Sequence, residues 1–241
     1  MKTLSVSTES RRLGIVIPAF NEEESIGLIV DRCLIAANVL GSVRVIVCDN
    51  GSQDSTAIIA RYAGAEIVHV DRKGYGAACQ GGISYLANWP DILIFVDADG
   101  SSQPEEIPAL IEPVIRGVAD LVIGRRPWSA PMTPPQRWGT WLAVKLVNSF
   151  WRSDFTDMGP FRCIDRESLN RLGMRDQTWG WTIEMQILAQ MKGLRVQEVP
   201  VSWDERMAGT SKISGTFCGV IKAGSRILWT VARYAFTGSR A

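Results

Sequence analysis

The chain has 241 residues, 46% hydrophobic and 21% charged, with 26 Lys and Arg against 25 Asp and Glu for a formal charge of +1. That balance excludes global disorder and a nucleic-acid binder that works by bulk charge, and the length suits one large domain. The single histidine, His69, excludes a histidine-rich metal site, and five scattered cysteines without a CxxC pair exclude a disulfide framework and fit a reducing cytosol.

Residues 1–12 read as a polar tail without the apolar core of a secretory signal. The longest apolar runs, such as Ile92-Leu93-Ile94-Phe95-Val96, fall far short of the ~20 residues of a spanning helix. From residue 13 to about 125, apolar runs bounded by Gly, Pro, Asp or Asn alternate with helical patterns. Strands fall at 13–18, 43–49, 66–70, 92–97 and 120–124, and helices at 22–40, 54–63, 75–89 and 104–116. Continuous apolar strands of this kind are buried on both faces of a parallel sheet. Asn21 reads as the N-cap of the first helix, with Glu22, Glu23 and Glu24 in a first turn that favours carboxylates. Pro127, Pro131, Pro134 and Pro135 predict a long exposed, lid-like loop over 126–136. Helices follow at 137–151, 165–172 and 181–192, then a strand at 195–201 and one long helix from about 213 to 236. The class is α/β, an open and mostly parallel twisted sheet with helices on both faces. It divides into a tail (1–12), one domain (13–212) and an amphipathic basic C-terminal helix (213–241).

Ligands of such sheets gather at the carboxyl ends of the strands. Asp97-Ala98-Asp99 closes the most hydrophobic strand, and residues two apart on a strand face the same way, so the two carboxylates converge. Hard oxygen ligands with open positions suit Mg2+ or Mn2+ shared with phosphates; the plainer reading is that Asp99-Gly100 makes a turn and Asp97 caps the next segment. Asp49-Asn50-Gly51-Ser52 ends a second strand, where a carboxylate can accept from a nucleobase N–H or merely shape a turn. Gly74-Tyr75-Gly76-Ala77-Ala78-Cys79 approaches a dinucleotide fingerprint. Cys79 in its third position and its place after the third strand argue against a nicotinamide dehydrogenase. With Arg72 and Lys73 before it, this helix start suits an anion instead. Arg125, Arg126 and Arg137 flank the proline loop with bidentate donors for phosphate. Arg206, Ser211 and Lys212 surround Gly209 as a clamp for a leaving diphosphate, although basic loops are also often inert.

Together these segments resemble the family 2 glycosyltransferases, and within them the dolichyl- or polyprenyl-phosphate sugar synthases, over roughly residues 13–215. The likeness rests on Val16-Ile17-Pro18-Ala19-Phe20-Asn21-Glu22-Glu23, Asp49-Asn50-Gly51-Ser52, Lys73-Gly74-Tyr75-Gly76-Ala77-Ala78 and Asp97-Ala98-Asp99. It continues through Ile123-Gly124-Arg125-Arg126, Gly159-Pro160-Phe161-Arg162, Glu184, Glu198-Val199-Pro200 and residues 206–212. It implies a GT-A fold and an inverting transfer of a hexose from a GDP- or UDP-linked donor. Pro18, Ala19, Phe20, Glu22, Asp49, Ser52, Lys73, Gly74 and Asp97 would bind the nucleotide, and Asp97 and Asp99 would hold Mg2+ or Mn2+. Arg206, Ser211 and Lys212 would grip the leaving diphosphate, while Arg126 and Arg137 would receive a polyprenyl phosphate. The chain departs from the family pattern at Asn50, where a second Asp is usual, at Ser101, where the lipid-phosphate branch often has Gln, and at Gly159-Pro160, where Ser-Gly is usual.

A phosphate acceptor is already ionised, whereas a hydroxyl acceptor (glycan or small molecule) needs a general base, for which Asp157 and Glu184 are the candidates. A non-catalytic nucleotide-sugar binding module is the remaining reading. After Glu205 no acidic residue follows, and Lys222, Arg226 and Arg233 share one helical sector of about 40°. A basic stripe on an apolar helix fits contact with an anionic membrane surface, hence a cytoplasmic protein peripheral on the inner face; a helix docked on the domain is the alternative.

Overall fold

A computed structural model describes residues 11–207 and 217–237. Its strands are β1 (Arg11–Ala19), β2 (Gly41–Asp49), β3 (Glu66–His69), β4 (Ile92–Phe95), β5 (Leu121–Arg125), β6 (Arg162–Asp165) and β7 (Val196–Pro200). They form one sheet in the order β3-β2-β1-β4-β6-β5-β7. Every neighbouring pair is parallel except those of β6, which runs antiparallel to both β4 and β5. The helices are α1 (Ile26–Asn38), α2 (Thr56–Tyr62), α3 (Tyr75–Leu86), α4 (Ile107–Ile115), α5 (Pro134–Trp151), α6 (Arg166–Leu172), α7 (Trp181–Met191) and α8 (Phe217–Thr237).

The strand period of two divides the core between the sheet's faces. Ile15, Ile17, Val45, Val47, Ile92 and Ile94 pack with α1 and α4 on one side. Val16, Ile46, Leu93, Phe95 and Ile123 pack with α3, α5 and α7 on the other. The open, mostly parallel sheet with helices on both faces is therefore present as expected. Helix α8 packs against α5 and α7, with Thr230 and Val231 buried. Among the described residues no helix is long and apolar enough to cross a membrane.

Several local expectations change. Strand β6 was not expected, because its four residues carry Arg162 at a fully buried position, which hides the apolar signal. Helix α1 begins at Ile26 after Ser25, and Asn21 is not its cap. The backbone N–H groups of Asn21, Glu22 and Glu23 go instead to Ser52 Oγ (2.9 Å), Thr56 Oγ1 (2.8 Å) and Asp54 Oδ2 (3.2 Å). Tertiary partners there displace the helical ones. Helix α5 starts within the expected proline loop. Pro134 and Pro135 occupy its first turn, where no N–H is required, behind a capping box formed by Thr133 and Gln136. Strand β4 stops at Phe95, so Asp97 and Asp99 lie on the turn beyond it.

Candidate active site

The loops at the carboxyl ends of β1, β2 and β4 meet at one edge of the sheet. Pro18 is half-buried and Ala19 buried at the end of β1, and Phe20 is exposed beyond them. Ala19 O accepts from Asn50 N (2.9 Å), which ties the first turn to the second. Asp49 is buried; it accepts from Ser52 N (2.9 Å) and lies 3.1 Å from His69 Nδ1. Lys73 donates to Asn50 O (2.7 Å), with its ammonium 5.3 Å from the centre of the Phe20 ring. These residues thus line one continuous edge.

The Asn50 amide has a role that a carboxylate could not fill. Its Nδ2 donates to Val70 O (3.0 Å) and Arg72 O (2.7 Å), while its Oδ1 accepts from Gly74 N (2.7 Å). One side chain both donates to and accepts from the loop that carries Lys73 and Gly74. Aspartate has no donor when ionised.

Asp97 and Asp99 converge, but through a turn rather than strand alternation. Asp97 Oδ1 accepts from Tyr75 OH (3.1 Å), and burial together with the neighbouring Asp99 charge pushes its pKa up to about 7. Asp99 Oδ1 accepts from Ser101 N (3.0 Å) and Ser101 Oγ (2.5 Å). Its Oδ2 accepts from Arg206 Nη1 (2.8 Å), and Arg206 Nη2 reaches Glu22 Oε1 (2.7 Å) and Oε2 (3.0 Å). One guanidinium therefore bridges the first turn and the Asp97–Asp99 turn, and Met207 N adds a bond to Asp99 O (3.0 Å). Gly100 has φ +78° and packs against the Met207 side chain, so this close approach requires glycine.

A half-buried carboxylate whose charge is disfavoured by a second one fits a divalent cation, which would relieve both the burial cost and the repulsion. Two carboxylates leave most positions of a hard ion open for phosphate oxygens and water. Ser101, in place of Gln, supports Asp99 by hydrogen bonding rather than adding an amide oxygen.

Beyond β5, Arg126 forms a bidentate pair with Asp157 through Nε (2.8 Å) and Nη2 (2.6 Å), and its backbone N adds a third bond (3.0 Å). Although burial opposes ionisation, Arg126 outweighs it and holds the Asp157 carboxyl below its usual range. The other face of Arg126 stacks on Trp203, 5.2 Å from the ring centre. Arg137, on α5, donates to the carbonyls of Trp128 and Ala130 and stacks on Trp128, shaping the 126–133 loop. Between this loop, α5 and residues 155–157 lies a cleft of about 680 Å3. Its cations are Arg125, Arg126, Arg137 and Lys145, and its apolar walls include Trp128, Met132, Trp141 and Phe155.

Glu184 is not part of this assembly. It is fully buried at the start of α7, where its carboxylate accepts from Arg175 N (3.0 Å), Asp176 N (2.7 Å) and Tyr234 OH (2.6 Å). With those donors in place it has no access to an acceptor, and its position as a catalytic base is corrected. The expected basic stripe on α8 also changes, because Arg226 turns inward to the buried Asp176 (2.9 Å). Ser211 and Lys212 lie outside the described residues. The sequence reading missed Tyr75, Trp203 and Asp176. Only Tyr75 carried a signal, its place inside the Lys73-to-Gly76 segment.

Residues 14–176 match the family model described as Glycosyl transferase family 2. The chain belongs to this family. It is 36% identical over 217 residues to an uncharacterized glycosyltransferase of Mycobacterium bovis, covering 87% of this chain and 93% of that one. It is 31% identical over 225 residues to polyprenol monophosphomannose synthase of Mycolicibacterium smegmatis, covering 86% and 83% respectively. Among solved structures, glucosyl-3-phosphoglycerate synthase from Mycobacterium tuberculosis in complex with Mn2+, UDP and glucosyl-3-phosphoglycerate aligns with a TM-score of 0.72 at 22% identity, covering 92% of this chain and 80% of that one. The mostly parallel sheet of this glycosyltransferase is thus the GT-A fold.

Proposed function

We propose that this glycosyltransferase moves a hexose, with inversion, from a nucleoside diphosphate sugar to the phosphate of a polyprenyl lipid. The observation that carries the reading is the cleft between α5 and the 126–133 loop, which combines four cations with apolar walls. A lipid phosphate needs both, the cations for its head and the apolar walls for the first units of its tail. Among the described residues, the cleft lining offers no competent base for a hydroxyl acceptor. Its lining carboxylate, Asp157, is held ionised by Arg126, and a carboxyl kept well below neutrality is a weak proton acceptor.

The donor reading rests on the turns after β1, β2 and β4, at the same edge of the sheet as the end of β5. Asp49 and Ser52 would face the nucleobase and ribose, with Pro18, Ala19, Phe20 and Glu22 along the nucleotide and Lys73 and Gly74 beside it. Asp97 and Asp99 would hold Mg2+ or Mn2+, which when bound supplies positive charge to the diphosphate leaving group. Arg206, now bridging Asp99 and Glu22, would turn its guanidinium to the leaving oxygens as negative charge builds there, with Ser211 and Lys212 as further donors. Arg126 would use its free Nη1 edge for the acceptor phosphate and offset its repulsion from the donor. Arg137, whose donors hold the loop, would keep the cleft open in the right shape.

Helices α5 and α8 support contact with a membrane surface on its cytoplasmic side. Neither contains an acidic residue, and they pack side by side. Trp138, Trp141 and Phe150 are exposed on one, and Leu228, Trp229 and Phe236 on the other. Tryptophan with arginine or lysine is the side-chain set of the lipid–water interface.

A transfer assay tests the acceptor directly, using UDP- and GDP-hexoses with Mn2+ and a short polyprenyl phosphate, the matching polyprenol and phosphoglyceric acid in parallel. The proposal expects product from the polyprenyl phosphate alone. Equal or better transfer to the alcohol or to phosphoglyceric acid would overturn it.

A further inference from the structure

We infer that Tyr75 is a positioning residue for the Asp97 carboxylate, held in place by the 175–181 strap that helix α8 pins to the body of the protein. The inference rests on the reading of Asp97 as a cation ligand.

Tyr75 is the first residue of α3, and its hydroxyl donates to Asp97 Oδ1 across 3.1 Å. A carboxylate held at one oxygen is restricted in rotation, so the direction of its other oxygen is set before any ligand arrives. The Tyr75 ring is itself walled in. Trp179 stacks on it with centres 6.0 Å apart and planes 26° apart, and Trp181 meets it edge-on at 5.9 Å. Trp181 also packs edge-on against Phe95 at 4.7 Å, and Phe95 is the last residue of β4 before the Asp97 turn. The same indole thus touches the tyrosine and the strand that delivers its partner.

The strap binds α3 through backbone. First-turn N–H groups have no partner within their own helix. Here Gly76 N donates to Thr178 O (3.2 Å) and Ala77 N to Gln177 O (2.9 Å). A Cβ at position 76 would stand 2.5 Å from Asp176 O, so glycine is what lets the strap come this close.

Two buried carboxylates then fasten the strap to α8. Asp176 accepts from Thr178 N and Oγ1 (both 2.7 Å), from Arg226 Nε (2.9 Å) and from Thr230 Oγ1 (3.4 Å). Glu184 accepts from Tyr234 OH while binding the N–H groups of Arg175 and Asp176. Arg226, Thr230 and Tyr234 are four residues apart and so lie on one face of α8. A run of direct contacts leads from the C-terminal helix to Asp97, and buried carboxylates at its far end resist partial release because an unpaired one is costly.

The test is a Mn2+ titration of the full chain, read from the EPR signal of free Mn2+, in the presence of UDP or GDP. Wild type is compared with Tyr75→Phe, the double variant Arg226→Gln/Tyr234→Phe and Asp97→Asn, each first shown folded by circular dichroism. Supporting groups behind metal ligands typically contribute ~10–100-fold in affinity, so Tyr75→Phe is expected to raise the Mn2+ dissociation constant at least ~10-fold. The double variant should move it in the same direction, and Asp97→Asn should abolish binding. A purely structural Tyr75 would leave the titration unchanged in the folded variant. Wild-type Mn2+ affinity in Tyr75→Phe, with binding lost in Asp97→Asn, would overturn the positioning role alone. Wild-type affinity in the double variant would overturn the link to α8. Absence of Mn2+ binding by the wild type, or undiminished binding by Asp97→Asn, would remove the cation reading and the inference with it.

Discussion

Replacing Glu184 with Gln separates a structural carboxylate from a general base. In the native protein Glu184 Oε2 accepts two backbone N–H groups and Oε1 accepts the Tyr234 hydroxyl, all in a fully buried site. Glutamine can keep this pattern, with its oxygen facing Arg175 and Asp176 and its amide donating to a Tyr234 hydroxyl that turns to accept. What is lost is the charge on the acceptor. Hydrogen bonds to charged groups contribute ~1.5–3 kcal/mol against ~0.5–1.5 for neutral ones, a difference of ~1–1.5 per bond, so three such bonds lose up to about 3–4.5 kcal/mol. In a domain of this size that lowers the melting temperature by up to ~6–18 °C. Glu184→Ala strands two amides and a phenol, and should cost about 3 kcal/mol or more. Thermal unfolding followed by circular dichroism measures both losses, and kcat measured well below the transition should stay near wild type for Glu184→Gln. A folded Glu184→Gln enzyme with wild-type stability and a ~10²–10⁴-fold drop in kcat would refute this account and restore Glu184 as the base.

Arg206→Ala removes the guanidinium that would meet the leaving diphosphate, and should lower kcat at saturating donor by ~10²–10³-fold, the scale of one preorganised oxyanion donor. An unchanged kcat would show that Arg206 serves only Glu22 and Asp99. Acid stability should follow Asp157 and Asp176. Burial raises both, but Arg126 in one case and Thr178 with Arg226 in the other outweigh it, so both carboxyls sit below their usual range. Their stabilisation is complete above the unfolded carboxyl value of ~3.9 and is lost as pH falls through the lower folded values. Denaturant titrations between neutral pH and about pH 3 should therefore show a shallower acid slope for Asp157→Asn than for wild type. Trp138→Ser/Trp229→Ser should weaken sedimentation with anionic vesicles at least ~10-fold, equivalent to ~1.4 kcal/mol, and leave transfer to a detergent-dispersed acceptor unchanged. Equal sedimentation would place the membrane contact elsewhere.

The chain by itself determined the sheet's parallel half and the edge where ligands gather. Those strands are continuous apolar runs ended by Asp, Asn or Gly, and both their burial and their turns follow from residues adjacent in sequence. Candidate residues on the described turns, from Pro18 to Glu22, at Asp49 and Ser52, at Lys73 and Gly74 and at Asp97 and Asp99, were legible for the same reason. Only the tertiary structure decided what each polar group faces. Strand β6 exists because carbonyls of Gly159 and Thr182 absorb the buried Arg162 guanidinium. Asn21 leaves the helix because the second turn supplies its partner. Glu184 and Arg226 turn inward because a carboxylate fifty residues away from its partner in sequence, Asp176 for Arg226, cannot stay buried without one. Local patterns encode where the backbone goes, since steric and hydrophobic preferences act over a few residues. The pairing of buried charges depends on long-range packing, and no short window of sequence contains it.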